Sequence, residues 1–191
     1  MGTTLSQLIE KDEGLQETVA DADVVIDFSS PEGTEKAIEM GKPLVCGTTA
    51  LPQKTLSRLE ELSKSVPVLY SPNFSLGIAL LFQTLEEMGE KLKKYSTPTI
   101  HETHHIHKKD TPSGTALKMA EILGIPPIEI ESSREGEAVG IHQVDFLFPD
   151  EKLSLTHKAE SREAFARGAL TAAKFLFGKP AKFYSLRDLF D

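Results

Sequence analysis

Three times before residue 95 the chain passes through the same cycle: a short apolar run, a loop of small polar residues, and an amphipathic stretch at helical spacing. Residues 22–28 (Ala-Asp-Val-Val-Ile-Asp-Phe) lead through Ser29-Ser30-Pro31 into 32–40. Leu44–Cys46 leads through Gly47-Thr48-Thr49 into 53–63, and 66–70 leads through Ser71-Pro72-Asn73-Phe74 into 76–93. Short unalternated runs of Val, Ile and Leu suit strands covered on both faces. A strand, a helix and another strand in succession imply a crossover and a parallel sheet. The expectation is an α/β fold, preceded by a helix over 3–11, where Leu5, Leu8 and Ile9 recur at helical spacing. Ligands of such sheets collect at the carboxyl ends of the strands, which here are the three polar loops.

After Tyr95 the pattern changes. Thr97–His104 reads as a strand, followed by a helix opening at Gly114 and running over 116–123. Residues 139–148 alternate as a half-buried strand does, and Pro149-Asp150-Glu151 turns them into a second strand, Lys152–Lys158. This block predicts a mixed or antiparallel sheet distinct from the first. A long amphipathic helix over 162–177, with Phe165, Ala169, Ala172, Ala173 and Leu176 near one face, is expected to return to the first domain. The chain then divides into a discontinuous domain, 1–75 plus 163–191, and an inserted α+β domain, 76–162.

The net charge of −8 argues against a general affinity for nucleic acid, which needs clustered Lys and Arg. A single cysteine, Cys46, excludes an internal disulfide framework; lying in an apolar run, it reads as a buried small hydrophobe. No apolar run approaches the ~20 residues that span a bilayer, and the start of the chain has no signal pattern. A cytoplasmic protein without membrane attachment is expected.

The densest chemistry lies in Glu102-Thr-His-His-Ile-His-Lys-Lys-Asp-Thr-Pro-Ser-Gly-Thr115. Three histidines and two lysines lead up to a turn that opens a helix. A helix start presents unpaired N–H groups and a positive dipole end, so it suits a carboxylate or phosphate. Histidine titrates near neutrality and serves as a general acid. Together they predict a pocket that holds a small anion and moves a proton on it. Lys109 reads as solvated and Asp110 as a loop anchor. His101, His104, His105 and His107 also admit a metal-dependent hydrolase, but on a strand His104 faces away from the other three, and Lys108 opposes a cation. No metal is expected.

This segment is similar to the signature of the dihydrodipicolinate reductase family, Glu-x-His-His-x-x-Lys-x-Asp-x-Pro-Ser-Gly-Thr-Ala, matched from Glu102 through Ala116. The resemblance continues in Val25-Ile-Asp-Phe-Ser29, Gly47-Thr48-Thr49, Asn73-Phe74-Ser75 with Gly77, and His157-Lys-Ala-x-Ser-Arg162 with Phe165-Ala166-x-Gly168-Ala169. It implies a Rossmann-like dinucleotide-binding domain and a substrate-binding, oligomerisation domain. The implied reaction is reduction of 4-hydroxy-tetrahydrodipicolinate in lysine (diaminopimelate) biosynthesis with NADH or NADPH.

By resemblance His104 is the proton donor and Lys108 a second proton-donating or charge-stabilising group. His105, Ser113, Gly114 and Thr115 would bind the carboxylates of a small dicarboxylate substrate. Gly47, Thr48, Thr49, Ser71, Pro72, Asn73 and Phe74 would line the nicotinamide-ribose. Arg162 and Phe165 would either close that pocket or, for Arg162, cap its sheet. The family also implies a homotetramer, with the strand over 139–148 contributing to the contact.

One departure stands out. The chain opens at Met1-Gly2-Thr3-Thr4-Leu5, which resembles the last residues of the family's glycine-rich pyrophosphate loop and the start of its helix. The expectation is an N-terminally truncated dinucleotide domain lacking the first strand. Residues 12–22 are too short to supply a second strand bearing the ribose-reading residue. An open sheet edge and apolar surface should follow. Losing two or three charge-assisted hydrogen bonds to the pyrophosphate would weaken cofactor binding by roughly three orders of magnitude. A second reading is therefore a cofactor-deficient, dicarboxylate-binding remnant of the family.

Overall fold

The computed structural model describes residues 1–18 and 21–190; Val19 and Ala20, within the 12–22 segment, and Asp191 lie outside the described residues. The elements run α1 (Gly2–Ile9), β1 (Val25–Asp27), α2 (Pro31–Glu39), β2 (Leu44–Cys46), α3 (Gln53–Leu62), β3 (Val68–Tyr70) and α4 (Leu76–Lys93). They continue as β4 (Thr97–His104), α5 (Gly114–Leu123), β5 (Ile130–Arg134), β6 (Ile141–Leu147), β7 (Lys152–Lys158), α6 (Glu163–Leu176) and β8 (Phe183–Tyr184). The chain forms two compact units, Met1–Leu76 with Glu163–Asp191, and Gly77–Arg162.

The first unit carries a fully parallel sheet in the order β1-β2-β3-β8, with Val25 opposite Leu44, Leu44 opposite Val68 and Val68 opposite Phe183. Leu44, Cys46 and Val68 are buried and pack with Ala37 and Ile38 of α2 and Leu59 of α3. Cys46 is the buried hydrophobe expected, and burial pushes its thiol up to about 11. α2 starts where the sequence provides for it: Ser30 accepts from the Gly33 N–H and Pro31 follows at the first helical position. α6 lies on β1, β2 and β3 and against α1, burying Ala166, Ala169, Ala172, Ala173 and Leu176, while Phe165 is only half-buried. β1 is an edge strand, bordered by a groove of about 800 Å³ lined by Leu5, Ile9, Leu15, Val24, Ile26 and Leu170. Ser6, Gln16, Asp21 and Lys174 also line this groove, and none of the described residues of 12–22 is in a strand.

The second unit carries a mixed sheet in the order β5-β4-β6-β7, β4 parallel to β5 and antiparallel to β6. Its inward face is layered. Ile130, Ile100, Val144 and Leu155 lie in one cross-strand row and pack, with Phe146, against Met119, Ala120 and Leu123 of α5 and Ile78, Leu81 and Leu85 of α4. Each such side chain contributes ~1.5–3 kcal/mol by leaving water. One row further along the same face the residues are Ser132, Glu102, His142 and His157. The apolar core gives way to polar groups within a single repeat of the strand. Among the described residues no helix is long and apolar enough to cross a membrane.

Two strands have no counterpart in the sequence reading. β5 is Ile-Glu-Ser-Ser-Arg, with one buried apolar residue, and β8 has two residues, so neither offers a periodic signal. The first helix is also shorter than 3–11, and the runs 22–28 and 66–70 are trimmed to three residues each.

Candidate active site

β4 aims alternate side chains into the second unit, so Glu102 and His104, two residues apart, stand on one face. Glu102 is 1% exposed. Its Oε2 accepts from His104 Nδ1, and its Oε1 accepts from Arg134 Nη1 at 2.9 Å. Burial works to raise the Glu102 pKa, but the bonds from Arg134 and His104 outweigh it, and the carboxyl stays below its usual range. A carboxylate fixed on Nδ1 sets the imidazole tautomer and leaves Nε2 as the proton-exchanging atom. The His104 pKa is lowered, first by burial and then by the nearby Lys108 and Arg134 charges, with Glu102 acting in the opposite direction.

His104 Nε2 abuts Gly140, where a Cβ would come within 3.1 Å of it. Arg134 reaches further: Nη2 donates to the Asp110 carbonyl at 2.6 Å and to Thr111 Oγ1 at 2.8 Å. It therefore ties the Glu102–His104 pair to the loop carrying Lys108. Lys108 Nζ donates to Asp110 Oδ1 at 2.8 Å, so Asp110 anchors the loop and also holds the lysine. Lys109 is exposed.

Ser113 caps α5, its Oγ accepting from the Ala116 N–H at 3.3 Å. Gly114 follows in open space: a Cβ there would meet nothing within 4 Å. That room beside a helix N-terminus is where an anion can approach the backbone. Thr115 is half-buried beside it, and His105 is half-buried with an Nδ1 that has no partner among the described residues. The second unit thus links His104 to the loop of Lys108 through Glu102 and Arg134, and carries Ser113, Gly114 and Thr115 at the start of α5.

The four histidines weighed for a metal do not group together. β4 ends at His104, and His101, on the opposite face, bonds Glu131 at 2.9 Å. Among the described residues the ligand-type groups within 4.8 Å of one another are Glu102, His104 and His142. The Glu102 carboxylate there is already engaged by Arg134 and His104.

In the first unit Asp27, at the end of β1, is a hub. Its carboxylate accepts from the hydroxyls of Ser29, Thr34 and Thr48, the last at 2.9 Å, and from the Ser29 N–H at 3.1 Å. The loops after β1 and β2 are therefore fastened to each other. Gly47 lies under the Phe28 ring, where a Cβ would meet Cε1 at 2.2 Å. Phe28 meets Phe74 edge-on, centroids 5.2 Å apart, and a Cβ on Gly168 of α6 would fall 1.8 Å from the Phe74 carbonyl.

Phe74 is 1% exposed, and the Thr48 hydroxyl points inward to Asp27. Ser71 Oγ donates to the Asn73 carbonyl, and Asn73 Oδ1 accepts from the Ser75 N–H. These side chains brace the loops. Thr49 and Pro72 are exposed at their tips. Both loops lie at the carboxyl ends of parallel strands, where ligands of such sheets collect. Arg162 is exposed before α6.

Sequence reading gave no site role to Arg134, His142, His157 or Asp27, nor assigned Glu102 its part. Glu102 was readable as the i−2 neighbour of His104 on a strand. Arg134 and His142 make their contacts between elements distant in sequence.

Residues 1–74 match the family described as dihydrodipicolinate reductase, N-terminus, and residues 77–190 the family described as dihydrodipicolinate reductase, C-terminus. A 4-hydroxy-tetrahydrodipicolinate reductase of Xanthomonas euvesicatoria pv. vesicatoria is 42% identical over 174 residues, 87% of this chain and 72% of that one. Its counterpart from Thermosipho africanus is 42% identical over 192 residues, 98% of this chain and 87% of that one. The solved dipicolinate-bound dihydrodipicolinate reductase of Paenisporosarcina sp. TG-14 shares the fold, with a TM-score of 0.68 at 22% identity over 85% of this chain and 71% of that one. With both halves matched and relatives aligned over most of their lengths, the chain belongs to the dihydrodipicolinate reductase family.

Proposed function

We propose that His104 and Lys108 are the proton-donating groups of this reductase and that its substrate carboxylates are held at the start of α5. The family's members are NAD(P)H-dependent oxidoreductases of lysine (diaminopimelate) biosynthesis. In the reaction 4-hydroxy-tetrahydrodipicolinate gains a hydride and a proton, and its hydroxyl leaves as water. NADH or NADPH supplies the hydride, held in part by the loops at Gly47, Thr48 and Thr49 and at Ser71, Pro72, Asn73 and Phe74.

The observation that carries this reading is the Glu102-held imidazole of His104, on the same unit as the open N-terminus of α5. Glu102 keeps Nδ1 occupied, so proton delivery is confined to Nε2. Ser113, Gly114 and Thr115 offer backbone N–H groups and hydroxyls to a carboxylate, with His105 and Lys108 adding charge or hydrogen bonds. His104 is held below its ordinary pKa without ligand. A bound dicarboxylate opposes that shift, so substrate binding itself favours the protonated acid. The Paenisporosarcina reductase was solved with dipicolinate bound, a planar ligand of the same dicarboxylate class. We assign the protein to the cytoplasm and to a homotetramer built on the second unit's sheet.

Calorimetric titration of NADH and NADPH, each with and without pyridine-2,6-dicarboxylate, tests the reading. Micromolar cofactor binding tightened by the dicarboxylate is expected, together with turnover lost in His104→Gln. Dicarboxylate binding without cofactor binding would instead favour a protein that binds but does not reduce.

A further inference from the structure

His142 is 5% exposed in the middle of β6, between Glu102 on β4 and His157 on β7. Its ring meets that of His104 edge-on, centroids 5.0 Å apart at 73°. Its Nε2 lies 3.1 Å from Ser113 Oγ, and its Nδ1 is buried with no hydrogen-bond partner among the described residues. Ser113 Oγ already accepts from the Ala116 N–H.

The single hydrogen shared between Ser113 and His142 can lie either way. If Ser113 donates, the imidazole hydrogen sits on Nδ1, a buried donor without an acceptor, and the serine has none left for a ligand. If Nε2–H donates, Nδ1 is a bare lone pair. An unpaired buried acceptor is better tolerated than an unpaired N–H. The serine O–H is then free to point away from the ring. Burial, with the His104 charge adding to it, pushes the His142 pKa down to about 3, so the ring is neutral at pH 7 and is not itself an acid.

We propose that His142 is a positioning residue of the anion site: as the neutral Nε2–H tautomer it donates to Ser113 Oγ and leaves the serine hydrogen for a substrate carboxylate. This rests on the reading of Ser113 as a carboxylate ligand. It gives the pocket a donor whose direction does not change with pH across the neutral range.

Two measurements test it. Long-range ¹H–¹⁵N spectra of the unsubstituted protein at pH 7 should show His142 protonated at Nε2; protonation at Nδ1 overturns the proposal. Calorimetry with pyridine-2,6-dicarboxylate then compares Ser113→Ala, His142→Phe, their combination and His142→Gln, whose amide N–H can stand in for Nε2–H. Ser113→Ala and His142→Phe should each weaken binding about tenfold, the value of one net hydrogen bond to a charged group. The combination should be no weaker than Ser113→Ala alone. His142→Gln should recover most of the affinity and keep the pH profile of turnover. Unchanged affinity in His142→Phe, or losses that add, overturns the role of His142 while Ser113 stands. Unchanged affinity in Ser113→Ala removes Ser113 as a ligand, and the proposal with it. Should His142→Phe not fold, the tautomer and His142→Gln decide.

Discussion

At the scale of single residues, the proposed role of His104 as proton donor, with Glu102 as its partner, predicts a pH dependence of turnover. The donating form of His104 exists below its pKa, so turnover should fall as pH rises through that value. Glu102 acts to raise the pKa by hydrogen bond and charge. Glu102→Gln should therefore shift this limb to lower pH and reduce kcat about 10²-fold or more; a steady-state pH profile reports both. Dicarboxylate binding near pH 7 should take up protons, seen as a heat that varies with buffer ionisation enthalpy. Stability carries a separate signature. The pKa values of His104, His142 and His157 are all lowered, each first by burial, so the unfolded chain binds more protons than the folded one. Their contribution is complete above the unfolded value of about 6.5 and is lost as pH falls toward each folded value. For His142 alone the drop from pH 7 to pH 5 is about 2 kcal/mol, measurable by urea unfolding and absent in His142→Gln.

At the scale of elements, glycines separate packing from binding. Gly168 lets α6 approach the carbonyl of Phe74, where a Cβ has no space. Gly168→Ala should force the 71–74 loop or the helix to move, costing roughly 2–4 kcal/mol in denaturant unfolding and weakening NADPH binding. Gly114 faces open space, so Gly114→Ala should leave stability within about 1 kcal/mol while weakening pyridine-2,6-dicarboxylate. The helices and the longer strands were legible because their periodicity is local. So was the segment proposed to hold the substrate anion, since His104 through Thr115 is one continuous stretch ending at a capped helix. β5 was not: its alternating polar residues follow no apolar run, and it becomes a strand only because β4 offers a parallel edge. With β5 unrecognised, Arg134 had no place in the site.

At the scale of the whole molecule, two units with separate cores predict separate responses to ligand. Hydrogen exchange should slow within 97–158 on adding pyridine-2,6-dicarboxylate, and within 25–49 and 71–74 on adding NADPH. The face of β6 turned away from α5 presents Ile141, Gln143 and Leu147, with Asp145 buried between Gln143 and Lys152; this is the strand proposed to join subunits. Light scattering should give four times the chain mass, reduced by Leu147→Lys. The order of residues was enough to predict the two kinds of sheet and the helices of the first domain, and to single out the segment from Glu102 to Ala116, because each depends on neighbours along the chain. That Thr48 and Phe74 brace their loops from within, and that Arg134 and His142 converge on the site, emerged only once the chain was folded. Those roles follow from strand order and register, where residues separated by about thirty positions become hydrogen-bond partners.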